Sequence, residues 1–326
     1  MKKSILFAAL VALLVATSCG GSTEQVANQK KEAPERQGWD GGSLYGDVES
    51  VEITEYTLKD SFGEVVTDKL DKKIYKFNQQ GDVFEYAWYN SDGSLYRKHL
   101  YKYDSQGNMI EETRCSGDGT PYDKYLNKYD TQGNLLEKTR CSSDGTLYKK
   151  SLYKYDSQGN VIEEAQYNRY GSLDSKNIYK YNPGGSKSES ALYGSDGSLD
   201  YKELYYYSDQ GSMIEKTWSY GNLLSGNLAR LNSVLQGKYI YKYDARGNCI
   251  EESLCFSDDS LGWRHTYEYD AQDNMIESTS YKDDGSLKWK KRYKYDDRGN
   301  MVEEVRYKGE IMTPVYKTEY KITYRK

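Results

Sequence analysis

The stretch YKYDSQGN, residues 101–108, decides the fold, because close copies of it recur along the chain. The second aromatic residue of its Tyr-x-Tyr pair recurs every 26 residues, with one step of 36, at Phe77, Tyr103, Tyr129, Tyr155, Tyr181, Tyr207, Tyr243, Tyr269 and Tyr295. The turn sequence Asp-x-x-Gly-Asn follows the pair, and a second turn, Asp-Gly-Ser or Asp-Gly-Thr, lies about halfway to the next copy. Aspartate can hydrogen-bond the local backbone and glycine can take a positive φ, so both motifs predict tight turns.

Turns spaced in this way leave room for strands of roughly 8 to 10 residues, joined as antiparallel hairpins. The sequence therefore predicts an all-β fold: tandem antiparallel β-hairpin repeats that form a long, twisted or curled meander sheet. The residues leave open whether that sheet closes on itself. Its first and last strands, near Val48–Tyr56 and Tyr316–Tyr324, are predicted to be exposed edges that can pair with another copy of the chain.

The register of the hairpin assigns each side chain to a face. A type I turn with a glycine bulge would pair Tyr103 with Met109 and Tyr101 with Glu111. One face would then hold Leu95, Tyr101, Tyr103, Met109, Glu111, Thr113 and Cys115. The other would hold Tyr96, Lys98, Leu100, Lys102, Ile110, Glu112 and Arg114. The first face is the more apolar and is predicted to be buried or concave, and its repeated glutamate is predicted to pair with tyrosine hydroxyls or cross-strand lysines.

The repeat resembles the YD repeat of the RHS family, in residues Tyr101 to Asn108 followed by Asp118-Gly119-Thr120. The resemblance covers about residues 75 to 307 and implies strand-turn-strand units within a long β-sheet. RHS repeats are usually a few residues shorter than 26. Neither the family's terminal core segment nor a toxin-like tail is found after Arg306. Shell formation and autoproteolysis are therefore not implied.

Composition narrows the classes of function. The chain has 36 Tyr and only 5 Phe, so tyrosine, with a large apolar face and a polar tip, is expected to do most of the packing. A net charge of −5 spread over mixed signs argues against nucleic acid as a partner. No nucleophile elbow, phosphate loop, dinucleotide fingerprint or zinc signature occurs, so we expect no enzyme activity, no cofactor and no metal site. Four cysteines are predicted to be free, buried thiols on the tyrosine-bearing face: Cys115, Cys141, Cys249 and Cys255.

The N-terminal residues predict export and a lipid anchor. Lys2 and Lys3 precede an apolar run, Ile5 to Ala16, that is too short to span a bilayer and ends in small residues before Cys19. This pattern resembles a bacterial lipobox and predicts a lipoprotein signal peptide at residues 1–18 and attachment to a membrane through lipid on Cys19. The residue after Cys19 is Gly20 and not the aspartate that retains lipoproteins in the inner membrane, so attachment to the outer membrane is favoured. The pattern leaves open which side of the outer membrane the protein faces. Residues 19–45 are predicted to be a flexible tether, and residues 46–326 the repeat domain.

The step of 36 residues places an insertion near residues 220–238. Within it, Asn227 to Gly237 predicts one short helix, with an asparagine cap, apolar residues at 228, 231, 234 and 235, and a glycine stop. Three roles are open for this helix: covering an open end or side of the sheet, binding a partner, or none.

Five aromatic residues are the candidate ligand-binding residues: Trp88, Trp218, Tyr96, Tyr122 and Tyr148. Exposed aromatic rings beside charged residues can stack on sugar rings or on a partner surface, although structural packing is the simpler interpretation. Two functions follow. The first is a non-enzymatic interaction module at the cell envelope that binds a protein or a glycan. The second is a structural or protective scaffold, or a spacer, without a specific ligand.

Overall fold

The computed structural model describes residues 36–39, 41–61, 64–221, 236–309 and 312–326. These residues form twenty strands, which pair antiparallel, and none of them is helical. Within these ranges there is no helix of the length and apolar character that crossing a membrane requires. The all-β class predicted from the sequence is confirmed. The signal peptide, Cys19 and most of the predicted tether lie outside the described residues.

The strands follow the predicted repeat. They are β1 Val48–Ser61, β2 Glu64–Phe77, β3 Val83–Asn90, β4 Leu95–Tyr103, β5 Met109–Ser116, β6 Pro121–Tyr129, β7 Leu135–Ser142, β8 Leu147–Tyr155, β9 Val161–Asn168, β10 Leu173–Tyr181, β11 Lys187–Gly194, β12 Leu199–Tyr207, β13 Met213–Tyr220, β14 Gln236–Tyr243, β15 Cys249–Phe256, β16 Leu261–Tyr269, β17 Met275–Lys282, β18 Leu287–Tyr295, β19 Met301–Lys308 and β20 Thr313–Tyr324.

The chain divides into two compact units. The central unit spans Leu126–His265 together with Lys282–Gly285. The terminal unit contains the described residues up to Tyr125 together with Thr266–Tyr281 and Ser286–Lys326. In the central unit each strand from β7 to β15 pairs with the next. In the terminal unit β17 to β20 pair in sequence, as do β1 to β5.

The first and last strands are not free edges. β1 pairs along its length with β20, with Val51 opposite Ile322 and Ile53 opposite Tyr320, while its other side pairs with β2. The prediction that these strands are exposed and available to another copy was therefore wrong. The two strands supply each other's missing backbone partners, a pairing that local sequence patterns do not encode.

The predicted helix cannot be compared over its whole length. Residues 222–235, which hold most of it, lie outside the described residues. Gln236 and Gly237, predicted to end the helix, are instead the first residues of β14.

Both predicted turn types are present. In the turn after β4, the Gly107 amide donates to the Asp104 carbonyl at 3.1 Å, and Gly107 has a φ of 83°. The Asp104 carboxylate accepts from the backbone amides of Gln106 and Asn108 at 2.9 and 2.8 Å. The second turn type is held in a similar way, with the Ser94 amide donating to the Asp92 carboxylate at 2.8 Å. Local hydrogen bonds therefore form each turn, as the sequence predicts.

The register differs from the predicted one by a single residue. Tyr103 is opposite Met109 as expected, but the next pair is Lys102 with Glu111, so that Ile110 is the extra residue of a bulge. Tyr101 is therefore opposite Glu112 rather than Glu111. Beyond the bulge, every side chain of β5 lies on the other face from that predicted.

Two faces result, and they are named here for their repeated residues. In β4 and β5 the tyrosine face carries Arg97, His99, Tyr101, Tyr103, Glu112 and Arg114. The lysine face carries Lys98, Leu100, Lys102, Glu111, Thr113 and Cys115.

The repeated glutamate lies on the lysine face and pairs with lysines of adjacent strands. Glu137 accepts from Lys128 at 3.0 Å on one side and from Lys150 at 2.8 Å on the other. Glu189 has the same arrangement with Lys180 and Lys202, at 3.1 and 3.0 Å. The predicted pairing with cross-strand lysine is confirmed for these carboxylates, whereas their predicted place on the tyrosine face was wrong.

The second tyrosine of the pair links consecutive repeats. Its hydroxyl donates to the backbone carbonyl of the first residue of the preceding strand. The bonds are Tyr103 to Val83 at 2.5 Å, Tyr155 to Leu135 and Tyr181 to Val161 at 2.7 Å, and Tyr207 to Lys187, Tyr243 to Met213 and Tyr295 to Met275 at 2.8 Å. The tyrosines thus join strand ends as well as filling the tyrosine face.

The terminal unit has an apolar core that the predicted tether helps to close. The core cluster consists of Leu44, Val48, Val51, Tyr75, Phe77, Val83 and Tyr86. Arg36 is 7% exposed and donates to the carbonyls of Leu44, Gly81 and Gly46 at 3.3, 3.2 and 2.6 Å. Trp39 contacts Tyr75 edge-on, at 4.9 Å between centroids. Residues 36–39 and 41–45, assigned to the tether from composition, are thus packed against the repeats.

A candidate binding surface on the central unit

The five candidate binding residues are divided between the units. Trp88, Tyr96 and Tyr122 belong to the terminal unit, and Tyr148 and Trp218 to the central unit. The three tyrosines are exposed, retaining 53%, 45% and 43% of their full accessibility. The structure brings Trp88 and Tyr96 together, with ring centroids 5.1 Å apart.

Trp88 packs as a structural residue. It lies opposite Arg97 on the tyrosine face and against the core cluster of the terminal unit. The Arg97 guanidinium and the Lys73 ammonium lie 4.4 and 5.3 Å from its ring centroid. Trp88 lies 26 residues before Arg114, at the same position of the repeat, and the predicted register therefore places it on the face of Tyr96 and Lys98. That placement was wrong, because the bulge reverses the alternation of side chains.

The same reversal moves three cysteines. Cys115 and Cys255 lie opposite Lys98 and Lys238, and Cys141 shares the face of Glu137, so all three lie on the lysine face and not on the predicted tyrosine face. Cys115 and Cys141 are buried thiols, as predicted, whereas Cys249 and Cys255 are only partly buried. In the part of the chain that the structure describes, no group of three or more His, Cys, Asp or Glu residues is arranged to hold a metal.

The most irregular part of the tyrosine face in the central unit lies across β11 to β14. Ser190, Glu203, Trp218 and Gly237 stand directly opposite one another on these four adjacent strands. All four differ from most residues at the matching positions of other repeats, which vary from one repeat to the next. Alignment of the tyrosine-face positions would have found this row, because these positions vary between repeats while the turns and the glutamate of the lysine face recur.

Glu203 is the centre of a hydrogen-bonded group, named here the Glu203 cluster: Lys187, Ser190, Tyr201, Glu203, Tyr205 and Lys216. Its carboxylate accepts from the hydroxyls of Ser190 and Tyr201 at 3.0 Å and of Tyr205 at 2.5 Å. Lys216 pairs with it at 3.2 Å. Burial opposes ionisation, but these hydrogen bonds outweigh burial and lower the pKa of Glu203. Glu203 is therefore a carboxylate whose acceptors are already occupied.

Lys187 is the third charged group of the cluster, after Glu203 and Lys216. It is partly buried, and its ammonium lies 4.7 Å from the ring centroid of Tyr179 and 5.9 Å from that of Tyr205. Burial lowers the pKa of Lys187, and the charge of Glu203 partly offsets this effect. Among the described residues no carboxylate lies within 4.0 Å of its ammonium. Its charge is thus stabilised by aromatic faces and not by an ion pair.

Aromatic rings border the cluster. Trp218 and Tyr201 each contact Tyr220, with centroids 5.9 and 5.2 Å apart. The indole of Trp218 extends over Gly237 on the next strand, where a Cβ atom would meet the ring at 2.7 Å. Glycine at this position therefore lets the indole lie across the strand. Trp218 is only partly buried, but its indole nitrogen is buried without a hydrogen-bond partner.

This arrangement combines partly exposed aromatic rings, hydroxyl oxygens that can still accept hydrogen bonds, and one cation without an ion pair. Such a set suits recognition of a ligand that has both apolar faces and polar or anionic groups. Sequence reasoning selected Trp218 but missed Lys187, Glu203 and Tyr201, because it compared turns and aromatic slots and did not compare the charged positions one by one.

Comparison with known proteins finds neither a family model nor a curated protein sequence that matches the chain. Among solved structures, TcdB2-TccC3 without its hypervariable C-terminal region is similar at TM-score 0.37 and 13% identity, over 80% of this chain and 15% of that one. A porin-like protein from Bacteroides uniformis is similar at TM-score 0.37 and 10% identity, over 85% and 98%. A DUF1329 family protein from Desulfovibrio piger has TM-score 0.24 and 8% identity, over 85% and 86%. This chain thus spans a small part of the length of TcdB2-TccC3.

Proposed function

We propose that the protein is a non-enzymatic, lipid-anchored module of the bacterial cell envelope, related in its hairpin unit to RHS-type YD repeats, that binds a saccharide on the tyrosine face of its central unit. The address comes from the lipobox-like residues that end at Cys19, and their pattern favours the outer membrane. The binding role is supported by one observation above others. Glu203 and Trp218, at positions that vary between repeats, stand opposite each other on adjacent strands, and Lys187, the one charged residue among nine equivalent strand starts, contacts the Tyr205 ring of the same cluster.

A saccharide fits this surface better than a protein partner does. The C–H faces of a pyranose stack on aromatic rings, and its hydroxyls can donate hydrogen bonds to oxygens such as those of the Ser190, Tyr201 and Tyr205 hydroxyls. A protein interface would be expected to have an apolar centre. The partly exposed residues here are polar, charged or amphipathic instead.

Trp218→Ala tests the proposal. The mature protein is screened against neutral and acidic polysaccharides, and the variant is expected to lose at least 10-fold in affinity for any saccharide that the natural chain binds. Trp289→Ala is the matched control, since Trp289 lies on β18 of the terminal unit opposite Ser280. Equal loss in both variants, or capture of a protein and no saccharide, would contradict the proposal. Melting temperatures of both variants separate loss of binding from loss of folding.

A structural scaffold is the second candidate, and the repeated bonds favour it. Tyrosine hydroxyls join successive strand ends, and lysine–glutamate pairs connect neighbouring strands on the lysine face. A protein built only from such bonds would be a rigid spacer. Absence of saccharide binding in the screen, with a cooperative and heat-resistant fold, would support this function in place of the first.

A further inference from the structure

We infer that Lys187 makes the surface selective for acidic saccharides, in which a pyranose ring carries a carboxylate. This inference rests on the proposed function and names the class of ligand. Lys187 is the first residue of β11 and directly follows the equivalent of an Asp-x-x-Gly-Asn turn. The other residues at this position are Val83, Met109, Leu135, Val161, Met213, Cys249, Met275 and Met301.

Eight of these nine positions are apolar, and Lys187 is the exception. The backbone role of the position is unchanged, because the carbonyl of Lys187 still accepts the hydroxyl of Tyr207 at 2.8 Å. The structural bond of this position is thus made by the backbone of Lys187 and not by its side chain. A charge placed where packing asks for an apolar residue costs stability, so folding alone gives no reason for it.

The Glu203 cluster contains two ammonium groups, those of Lys187 and Lys216, and one carboxylate, that of Glu203. Lys216 is paired with Glu203 at 3.2 Å, and the remaining capacity of that carboxylate is filled by three hydroxyls. Lys187 contacts the faces of Tyr179 and Tyr205, which attract a cation without neutralising it. One ammonium group thus remains for a ligand with a single negative charge.

The ligand class follows from the neighbours of that ammonium. A monoanionic carboxylate can approach Lys187 with less repulsion from Glu203 than a phosphate dianion would meet. The attached sugar ring would lie on the tyrosine face beside Tyr179 and Tyr205, whose ring centroids are 4.7 and 5.9 Å from the ammonium. A simple organic acid would use the ammonium but would not cover the aromatic rings beside it.

The test substitutes the residue that other repeats use. Lys187→Met places at β11 the side chain found at Met109, Met213, Met275 and Met301, so the variant is expected to fold with an unchanged or higher melting temperature. Calorimetric titration of the mature protein uses three probes: oligogalacturonides, their methyl esters and a phosphorylated neutral oligosaccharide. We expect the natural chain to bind the acid at least 10-fold more tightly than the ester or the phosphate. Lys187→Met should lose that preference and keep the affinity for the ester.

Lys180→Met is the control, since Lys180 lies nearby on β10 but on the lysine face, where it pairs with Glu189. It is expected to keep the preference for the acid. Binding of acid and ester with equal affinity would overturn the role of Lys187 and leave saccharide binding intact. Binding of no saccharide would overturn both proposals. Preference for the phosphate, or an equal loss for acid and ester in Lys187→Met, would also overturn the inference.

Discussion

Removing a single tyrosine hydroxyl should measurably weaken the connection between repeats. In Tyr155→Phe the ring stays in place, so no cavity forms, but the bond to the Leu135 carbonyl at 2.7 Å is lost. A hydrogen bond of this kind contributes about 1 kcal/mol to the free energy of unfolding, and an acceptor left without its donor adds to the loss. We therefore expect a destabilisation of about 1 kcal/mol.

The repeat allows the effect to be multiplied. Tyr181 and Tyr207 make the same bond to Val161 and to Lys187, at 2.7 and 2.8 Å. Replacing all three tyrosines with phenylalanine should cost about 3 kcal/mol if the bonds act independently, as separated sites usually do. A total destabilisation well below about 3 kcal/mol would show that other bonds compensate for the lost hydroxyls. A total well above it would show that the three bonds act cooperatively.

The assay is urea unfolding at neutral pH, with Tyr148→Phe as the control. The ring of Tyr148 is 43% exposed, so loss of its hydroxyl should change the free energy of unfolding by less than about 0.5 kcal/mol. Amide hydrogen exchange near Leu135 provides a local readout, since the strand end should open more often in Tyr155→Phe. If Tyr155→Phe and Tyr148→Phe behave alike in both measurements, the hydroxyl bonds do not hold the repeats together.

The same bonds predict a response to alkali. Burial, followed by the nearby charge of Asp130, raises the pKa of Tyr155 from 10.0 to about 12. Because the folded-state pKa lies above the unfolded one, the stability that this tyrosine contributes is fully present below pH 10 and is lost as the pH rises towards 12. The natural chain should therefore lose stability more steeply over this interval than the triple phenylalanine variant. Equal slopes would contradict this account.

Two further substitutions test the lysine face and the N-terminal segment. Glu137→Gln should cost only about 0.5 kcal/mol, because the Lys128 side chain is 71% exposed and that of Lys150 36%, and the loss should shrink in high salt. Burial tends to raise the pKa of Glu137, but hydrogen bonds to the two lysines outweigh burial and lower it. The stability that Glu137 contributes is therefore fully present above its unfolded-state pKa and is lost as the pH falls through its folded-state pKa. An acid titration of stability that is the same with and without Glu137 would contradict this. Arg36→Met should cost about 3 kcal/mol, because three carbonyls lose a charged donor. Lys59→Met, an exposed control, should change the melting temperature little, and an equal shift in both variants would show that residues 36–45 are not part of the folded unit.

Local chemistry made the strands and turns predictable. Each turn is formed by its own residues, as when the carboxylate of Asp104 binds the backbone of Asn108, so the spacing of the turns defines the strands. The bulge after the turn was expected, but its exact position was not. With Ile110 as the extra residue, the side chains of β5 after the bulge lie on the opposite face from the one predicted. Glu111 therefore lies on the lysine face and Glu112 on the tyrosine face.

Contacts between distant residues were not predictable from local patterns. Arg36 and Leu44 lie in a polar, weakly hydrophobic segment, yet they pack against the repeats because Gly81 and Phe77 supply a carbonyl and a ring face. The pairing of β1 with β20 joins residues more than 250 positions apart, such as Val51 and Ile322. Such contacts depend on how the whole array twists, which turn chemistry does not specify.

The separation of constant from variable positions explains how one repeat can serve both folding and recognition. Largely constant positions carry the bonds that recur from unit to unit: the polar residue that begins the turn, most often aspartate, the hydroxyl of the second tyrosine and the glutamate of the lysine face. Variable positions lie on the tyrosine face between them, where His99, Ser151 and Glu203 occupy equivalent places in different repeats. A change at a variable position alters the chemistry of that face without removing a bond on which neighbouring strands depend. Lys187 shows that even a regular position can change in this way, because its carbonyl keeps the structural bond while its side chain is charged where the other repeats have an apolar one.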